Sequence, residues 1–349
     1  MQQLRILIPS TFATFATLAL VLILPSVSTA HHSRSNFRFD TMVEMDGIVT
    51  SHEYRNPHTF LTIETTNDAG QSEEWLLAGN SISNLRRTGW TAGSFEVGDA
   101  VTVSGNPDRD PEQLVLLLDV ITAPDGTVYQ SGSLAPGGQR PLSEQTFTGS
   151  TNFSGVWQPD FSQRNVAAGF MPADLPVTEK GSASLANFEQ LDDPALNCIG
   201  ESLPMTLLPV YPVEFTRSGD ELHIRYEQFD ARRVVHLGMA EHSDGVEPSH
   251  MGHSIGQITG NVLTIDTMYF SPDIWGLGRG VPSGLQKHVS ETYTLSDDGS
   301  TLDLEYTFTD PEYLVGSVTE SGSLLLNPGY EMGEWNCDID SARRHLSIE

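Results

Sequence analysis

Two β-barrels in series, a small OB-like one and a larger antiparallel one, form the mainly β fold class that the sequence predicts. Three observations predict it. Apolar and polar residues alternate with period two in many short runs, the mark of half-buried strands. The runs before residue 125 come in the order three strands, short helix, two strands, which is the order of an OB-fold. The runs after Val213 follow one another at hairpin spacing, which predicts a barrel or a strongly curved antiparallel sheet.

At 349 residues the chain is long enough for two domains. Residues 1–30 stand apart from both. Arg5 supplies a short positive start, Thr11 to Leu24 is mostly apolar, and Ser28-Thr29-Ala30 is a small-x-small cleavage site. The pattern predicts a secretory signal, with no stop-transfer segment after it and no cysteine at the cut to carry a lipid anchor. The expected location is periplasmic or secreted, with no stable membrane anchor after cleavage. The expected division is a signal at 1–30, an OB-like domain at 31–128, a linker at 129–150 and a β-barrel domain at 151–349.

In the first module, residues 44–50 begin a strand, interrupted at Tyr54-Arg55-Asn56-Pro57-His58, where Asn-Pro signals a turn or bulge. Thr59 to Thr65 alternates Phe60, Thr62 and Glu64 against Leu61 and Ile63. Asn67 to Gly70 is a hairpin turn, and Glu74 to Ala78 the returning strand. Ser81 or Ser83 can cap a short helix through Leu85 to Arg87 that stops at Gly89. Ala100 to Ser104 and Leu114 to Ile121 are the last two strands.

These residues also carry a family resemblance. His31-His32-Ser33, Asn56-Pro57-His58, the Arg86-Arg87-Thr88-Gly89-Trp90 run and Gly98-Asp99-Ala100-Val101-Thr102-Val103 together resemble DUF6152, an exported bacterial family of unknown function, over roughly residues 31–125. The resemblance implies the fold and the export, and no activity.

Residues 131–149 are rich in Gly, Ser and Pro and read as linker. Phe153-Ser154-Gly155-Val156-Trp157 then opens the second module, and its Gly-x-Trp is similar to the first strand of lipocalins. By that analogy Trp157 is expected to close a barrel end, stacked on Arg343 or Arg344. Residues 160–205 show few alternating runs. Strands are expected at Glu221–Phe229, Ala231–Gly238, on both sides of a turn at Thr259-Gly260-Asn261, and at Lys287–Leu295, Thr301–Thr309 and Ser317–Leu326. The run from Tyr226 through Met251-Gly252-His253-Ser254 to Asp310 is also similar to other exported bacterial proteins without established chemistry.

A net charge of −28 repels nucleic acid and anionic membranes, so no nucleic-acid partner is expected. The two cysteines, Cys198 and Cys337, are expected to pair in an exported protein. The chain has no Walker loop, His-Glu-x-x-His, CxxC or Rossmann fingerprint. Gly276-x-Gly278-x-Gly280 is read as a loop without phosphate-binding context.

Two constellations are left. The first is His31, His32 and His58. Cleavage after Ala30 makes His31 an N-terminus whose amine and imidazole chelate copper or zinc, with His58 as a further nitrogen. The second is Glu227, Asp230, Arg232, His253, Asp266 and Glu291. Glu291 shares strand parity with Val289, Tyr293 and Leu295, so it faces an apolar interior. There it is either half of an acid–base pair with a histidine or half of a structural ion pair with Arg232 or Arg233. The leading functional expectation is binding of a small apolar or amphipathic molecule in the C-terminal barrel, with a transition metal at the N-terminus. The competing ones are a periplasmic enzyme and a structural envelope protein. The enzyme is either a copper oxidoreductase at His31 or an acid–base lyase, isomerase or hydrolase in the barrel.

Overall fold

The computed structural model describes residues 36–67, 69–131, 149–160, 175–207 and 211–344. The first barrel is built from β1 (Val43–Glu53), β2 (Phe60–Thr66), β3 (Ser72–Ala78), β4 (Ala100–Pro107) and β5 (Val115–Thr122), with α1 (Ile82–Arg87) between β3 and β4. β1 pairs with both β2 and β4, β2 with β3, and β4 with β5. A parallel β3–β5 pairing closes the ring. That is the OB connectivity expected from the order of runs. A short β6 (Val128–Gln130) pairs antiparallel alongside β5.

Alternation supplies the barrel core: Val49, Leu61, Ile63, Leu77, Val101, Val103, Leu116 and Ile121 are all buried. α1 begins at Ser81, whose side chain accepts from the Asn84 N–H. It ends at Thr88, and Gly89 follows at φ 87°. Leu85 and Trp90 carry the helix onto one barrel mouth, where Trp90 meets Phe95 at 5.0 Å and Tyr129 at 5.9 Å between ring centres. Gly105 sits at a bulge of β4 against β5, where a Cβ would lie 2.2 Å from the Leu117 carbonyl oxygen. Only glycine permits that approach.

The second barrel is closed by nine strands: β7 (Gly155–Pro159), β8 (Val213–Ser218), β9 (Glu221–Tyr226), β10 (Arg232–His236), β11 (His253–Thr259), β12 (Val262–Met268), β15 (His288–Leu295), β16 (Thr301–Thr309) and β17 (Ser317–Leu326). Neighbours are antiparallel except β10 and β11, which run parallel over Val235–Ser254 and His236–Ile255. The parallel step requires the chain to be carried back along the outside, and residues 237–252 do this. Inside, Phe215, Ile224, Tyr226, Leu263, Ile265, Tyr293, Leu304, Tyr306 and Phe308 pack into one buried cluster.

The Gly276–Gly280 run is not a plain loop. It belongs to a hairpin of β13 (Asp273–Gly278) and β14 (Val281–Ser283), which turns at Gly280 with φ 72°. Trp157 is fully buried and donates to the Phe153 carbonyl oxygen at 3.0 Å. The expected stacking on Arg343 or Arg344 is not made. Arg343 bonds Leu196 and Asn197, and Arg344 lies 4.9 Å over the Phe60 ring and pairs with Glu53 at 2.6 Å. Arg344 is engaged where the C-terminal segment crosses to the first barrel, and Arg343 on the turn that precedes Cys198.

That segment, residues 327–344, ends in α3 (Ile339–Arg343) and is the main bridge between barrels. Asn56 donates to the Trp335 carbonyl oxygen at 2.5 Å, and its own carbonyl accepts from the Asp338 N–H at 2.8 Å. The Ser341 hydroxyl donates to the His58 carbonyl oxygen at 2.7 Å, and Arg55 pairs with Asp338 at 2.5 Å. Cys198 and Cys337 are disulfide-bonded, fixing the segment to the loop after α2 (Glu179–Ala186).

Candidate functional site

Strand parity separates the residues that the sequence grouped together. Ile265 is paired with Glu291, and Asp266 with Ser290. Side chains alternate across a sheet, so Glu291 faces the interior of the second barrel while Asp266 faces outward. His253 and Ile255 share the outward face with Asp266, since Ile255 pairs with Asp266 in register.

Inside, Glu291 receives both terminal nitrogens of Arg233 at 2.7 and 2.6 Å and the Tyr293 hydroxyl at 2.9 Å. Both side chains of the pair are sealed from solvent. Burial, and then the Glu291 charge, push the Tyr293 phenol well above its ordinary range. Glu291 is therefore half of a bidentate ion pair with Arg233, and it does not meet His253.

Outside, a hydrogen-bonded chain runs across three strands. The Asp266 carboxylate accepts from His288 Nε2 at 2.5 Å on one oxygen and from His242 Nε2 at 2.9 Å on the other. His242 Nδ1 faces His253 Nδ1 at 2.8 Å. His236 stacks on His253 with ring centres 5.1 Å apart, and Tyr269 stands edge-on to His242 at 5.8 Å. Hydrogen bonds from His288 and His242 hold the Asp266 carboxyl below the usual carboxylate range, and the same bond raises His288. His253 is lowered by burial and by its neighbours His242 and His236. Four of the chain's eleven histidines therefore meet on one patch. Among the described residues no group of three or more His, Cys, Asp or Glu is arranged to hold a metal ion. The patch is a hydrogen-bonded network.

The network borders a cleft of about 540 Å³. Leu237 to Ala240 form one wall, and the outward positions Ile255, Gln257, Thr264, Asp266, Ser290 and Thr292 form the floor. The Asp266 side chain keeps 40 % of its surface exposed. A carboxylate has about four lone-pair positions, so the two histidines leave acceptor capacity facing the cleft.

The other expected residues lie elsewhere. Glu227 is buried between the barrels, where it accepts from the Ser83 hydroxyl at 2.6 Å, the Tyr330 hydroxyl at 2.9 and 2.8 Å, and the Gly333 N–H at 3.0 Å. Asp230 pairs with Arg225 at 2.8 Å and accepts from the Trp335 N–H at 2.8 Å. Arg232 is exposed on β10. His31 and His32 lie outside the described residues. His58 sits on the Asn56-Pro57 turn beneath Ser341, with its ring 6.5 Å from that of Phe60.

Sequence reasoning missed His242, His288 and His236. His288 could have been found, since it lies two positions before Ser290 on the outward parity of β15, diagonal to Asp266. His242 lies in an aperiodic stretch and leaves no such trace.

Fold and site define a two-barrel β protein with a histidine-rimmed polar cleft on the wall of its larger barrel. Residues 19–116 match the model of DUF6152, a family of unknown function. The match reaches the start of β5 and does not extend to the barrel that carries the cleft. No curated protein matches the chain.

Proposed function

We propose that this is an exported small-molecule-binding protein whose ligand sits in the cleft under residues 237–240, outside the barrel. The carrying observation is that cleft, with a partly exposed carboxylate among hydroxyl and amide side chains and an apolar wall opposite. Its volume falls in the range of small-molecule sites, about 300–1,000 Å³. The interior expected to hold a ligand is instead packed with aromatic and aliphatic side chains around the Arg233–Glu291 pair. The chemistry fits a cationic amphiphile. An ammonium or amide donor meets Asp266, hydrogen-bonding groups meet Gln257, Ser290 and Thr292, and an apolar body lies on Leu237, Met239 and Ile255.

n-Octylamine is a direct probe, with octanoate as its counterpart of opposite charge. In NMR titrations octylamine is expected to shift resonances of residues 237–240, 255–257, 264–266 and 290–292 saturably, and octanoate is not. Asp266→Asn is expected to weaken octylamine about tenfold, because a charged acceptor becomes neutral. Non-saturable shifts scattered over the surface would sink the assignment.

A further inference from the structure

We infer that His242 and His253 form an acid-released latch that holds residues 237–252, and with them the wall of the cleft, against the barrel. This rests on the reading of the cleft as the ligand site and names how that site is regulated.

The case begins with one contact. Two imidazole nitrogens 2.8 Å apart must share a single proton, since one has to donate and the other accept. Asp266 fixes which. Its ionised carboxylate accepts from His242 Nε2, so neutral His242 carries its proton there and offers a bare Nδ1. His253 then donates from Nδ1 and keeps its lone pair on Nε2. The pair tolerates one further proton on either ring, because the Nδ1–Nδ1 bond still has one donor and one acceptor. A second further proton sets N–H against N–H and cation against cation, and the contact cannot survive.

His242 is the side chain that turns this into a mechanical event. It belongs to the returning segment, two residues beyond the cleft wall at Ala240, whereas Asp266 and His253 belong to strands. Its side chain is nearly sealed, with 9 % exposed. Facing the pair are Asp266 and Tyr269 beside β12, His288 on β15 through Asp266, and His236 on β10. Behind His236 stands Glu221 on β9, at 3.8 Å, itself paired with His223. Glu241, Asp244 and Glu247 of the segment are exposed. Asp266 sustains the first proton. His288, whose charged form the Asp266 bond favours, opposes the second. Burial also disfavours charge on His253, so the second uptake falls below the ordinary imidazole range near about 6.5.

Hydrogen–deuterium exchange on the full chain, without ligand, tests this. Protection factors of the Leu237, Ser249 and Gly252 amides, which bond the carbonyls of Asp220, Tyr269 and Ser249, are compared at about pH 7.5 and about pH 4.5, on either side of the imidazole range. The wild type is expected to lose protection about tenfold in acid while β16 and β17 keep theirs. In His253→Gln the amide can either donate to or accept from His242 Nδ1, so the contact survives both charge states and the acid step should vanish. His242→Phe removes the latch and should leave the segment unprotected at both pH values. Three results overturn the inference: no acid step in the wild type, an equal step in His253→Gln, or loss of protection in β16 and β17 together with the segment. Because no ligand enters the experiment, its failure leaves the octylamine result standing, and failure of octylamine to bind leaves this one standing.

Discussion

At the scale of single residues, a buried ion pair and a lone buried ammonium in the second barrel make different predictions. Arg233 and Glu291 satisfy each other, so removing one partner strands the other. Glu291→Gln is expected to lower stability by about 3–5 kcal/mol in urea denaturation, whereas replacing both with apolar residues of similar volume should recover most of the loss. Among the described residues, no carboxylate bonds the Lys287 ammonium. It donates to the Ser202 hydroxyl and to the carbonyls of Leu203 and Gly276 at 2.9, 2.8 and 3.2 Å, and sits 4.3 Å over the Phe270 ring. Burial lowers it from 10.5 to about 8. Between those values the unfolded chain holds the extra proton, so stability should rise with pH from about 8 by on the order of 3 kcal/mol in full. The rise is cut short above about 10, where unfolded tyrosines ionise while Tyr226 and Tyr330, pushed up to about 12 by burial, do not. Thermal melts from pH 7 to pH 10 should show the rise, and Lys287→Met should abolish it. Parity made the inward aim of Glu291 readable in the sequence, and the same parity should have separated it from Asp266 and His253. What periodicity cannot supply is the partner that a loop brings, and that is why His242 was not legible.

At the scale of elements, the strands were the most legible feature because each carries its own period-two signal. Thr301–Thr309 and Ser317–Leu326 fall where the alternation puts them. The helix after β3 was legible from its Ser81 cap and Gly89 stop. The β13–β14 hairpin was hidden because glycines occupy the positions that would show alternation. Residues 237–252 were unreadable for a different reason: their path is dictated by the parallel β10–β11 step, which is a property of the closed sheet. The disulfide was legible from the expected export and the count of two cysteines, and its structural role follows from what it holds. It anchors the 327–344 segment, whose contacts with the first barrel are mostly single hydrogen bonds. Cys198→Ser with Cys337→Ser is expected to lower stability by about 2–5 kcal/mol in urea denaturation. Exchange should speed up first at residues 335–343, before any barrel strand. Uniform acceleration across both barrels would show that the bond supports the whole unit instead.

At the scale of the whole molecule, the question is why two barrels with separate cores behave as one body. Each core is a distinct buried cluster. The coupling therefore rests on polar contacts at the junction, and Glu227 is the most buried acid in it. One carboxylate there collects a hydroxyl from α1 of the first barrel, a hydroxyl from Tyr330 and a backbone N–H from Gly333. Removing it takes away their shared acceptor; the Ser83 and Tyr330 hydroxyls, 3.3 Å apart, can still bond each other, while the Gly333 N–H loses its carboxylate, a cost of about 1–3 kcal/mol where water cannot replace the bond. The loss falls on the junction and spares both cores, so its signature is loss of cooperativity more than loss of either barrel. In scanning calorimetry the wild type is expected to unfold in a single transition. Glu227→Ala is expected to split it into two, each with the enthalpy suited to a barrel of its size. Glu227→Gln, which keeps an acceptor for two of the three donors, should fall between. A single transition in Glu227→Ala, merely shifted to lower temperature, would show that the disulfide-anchored segment alone couples the barrels. In that case the split should appear only when the cysteines are also replaced.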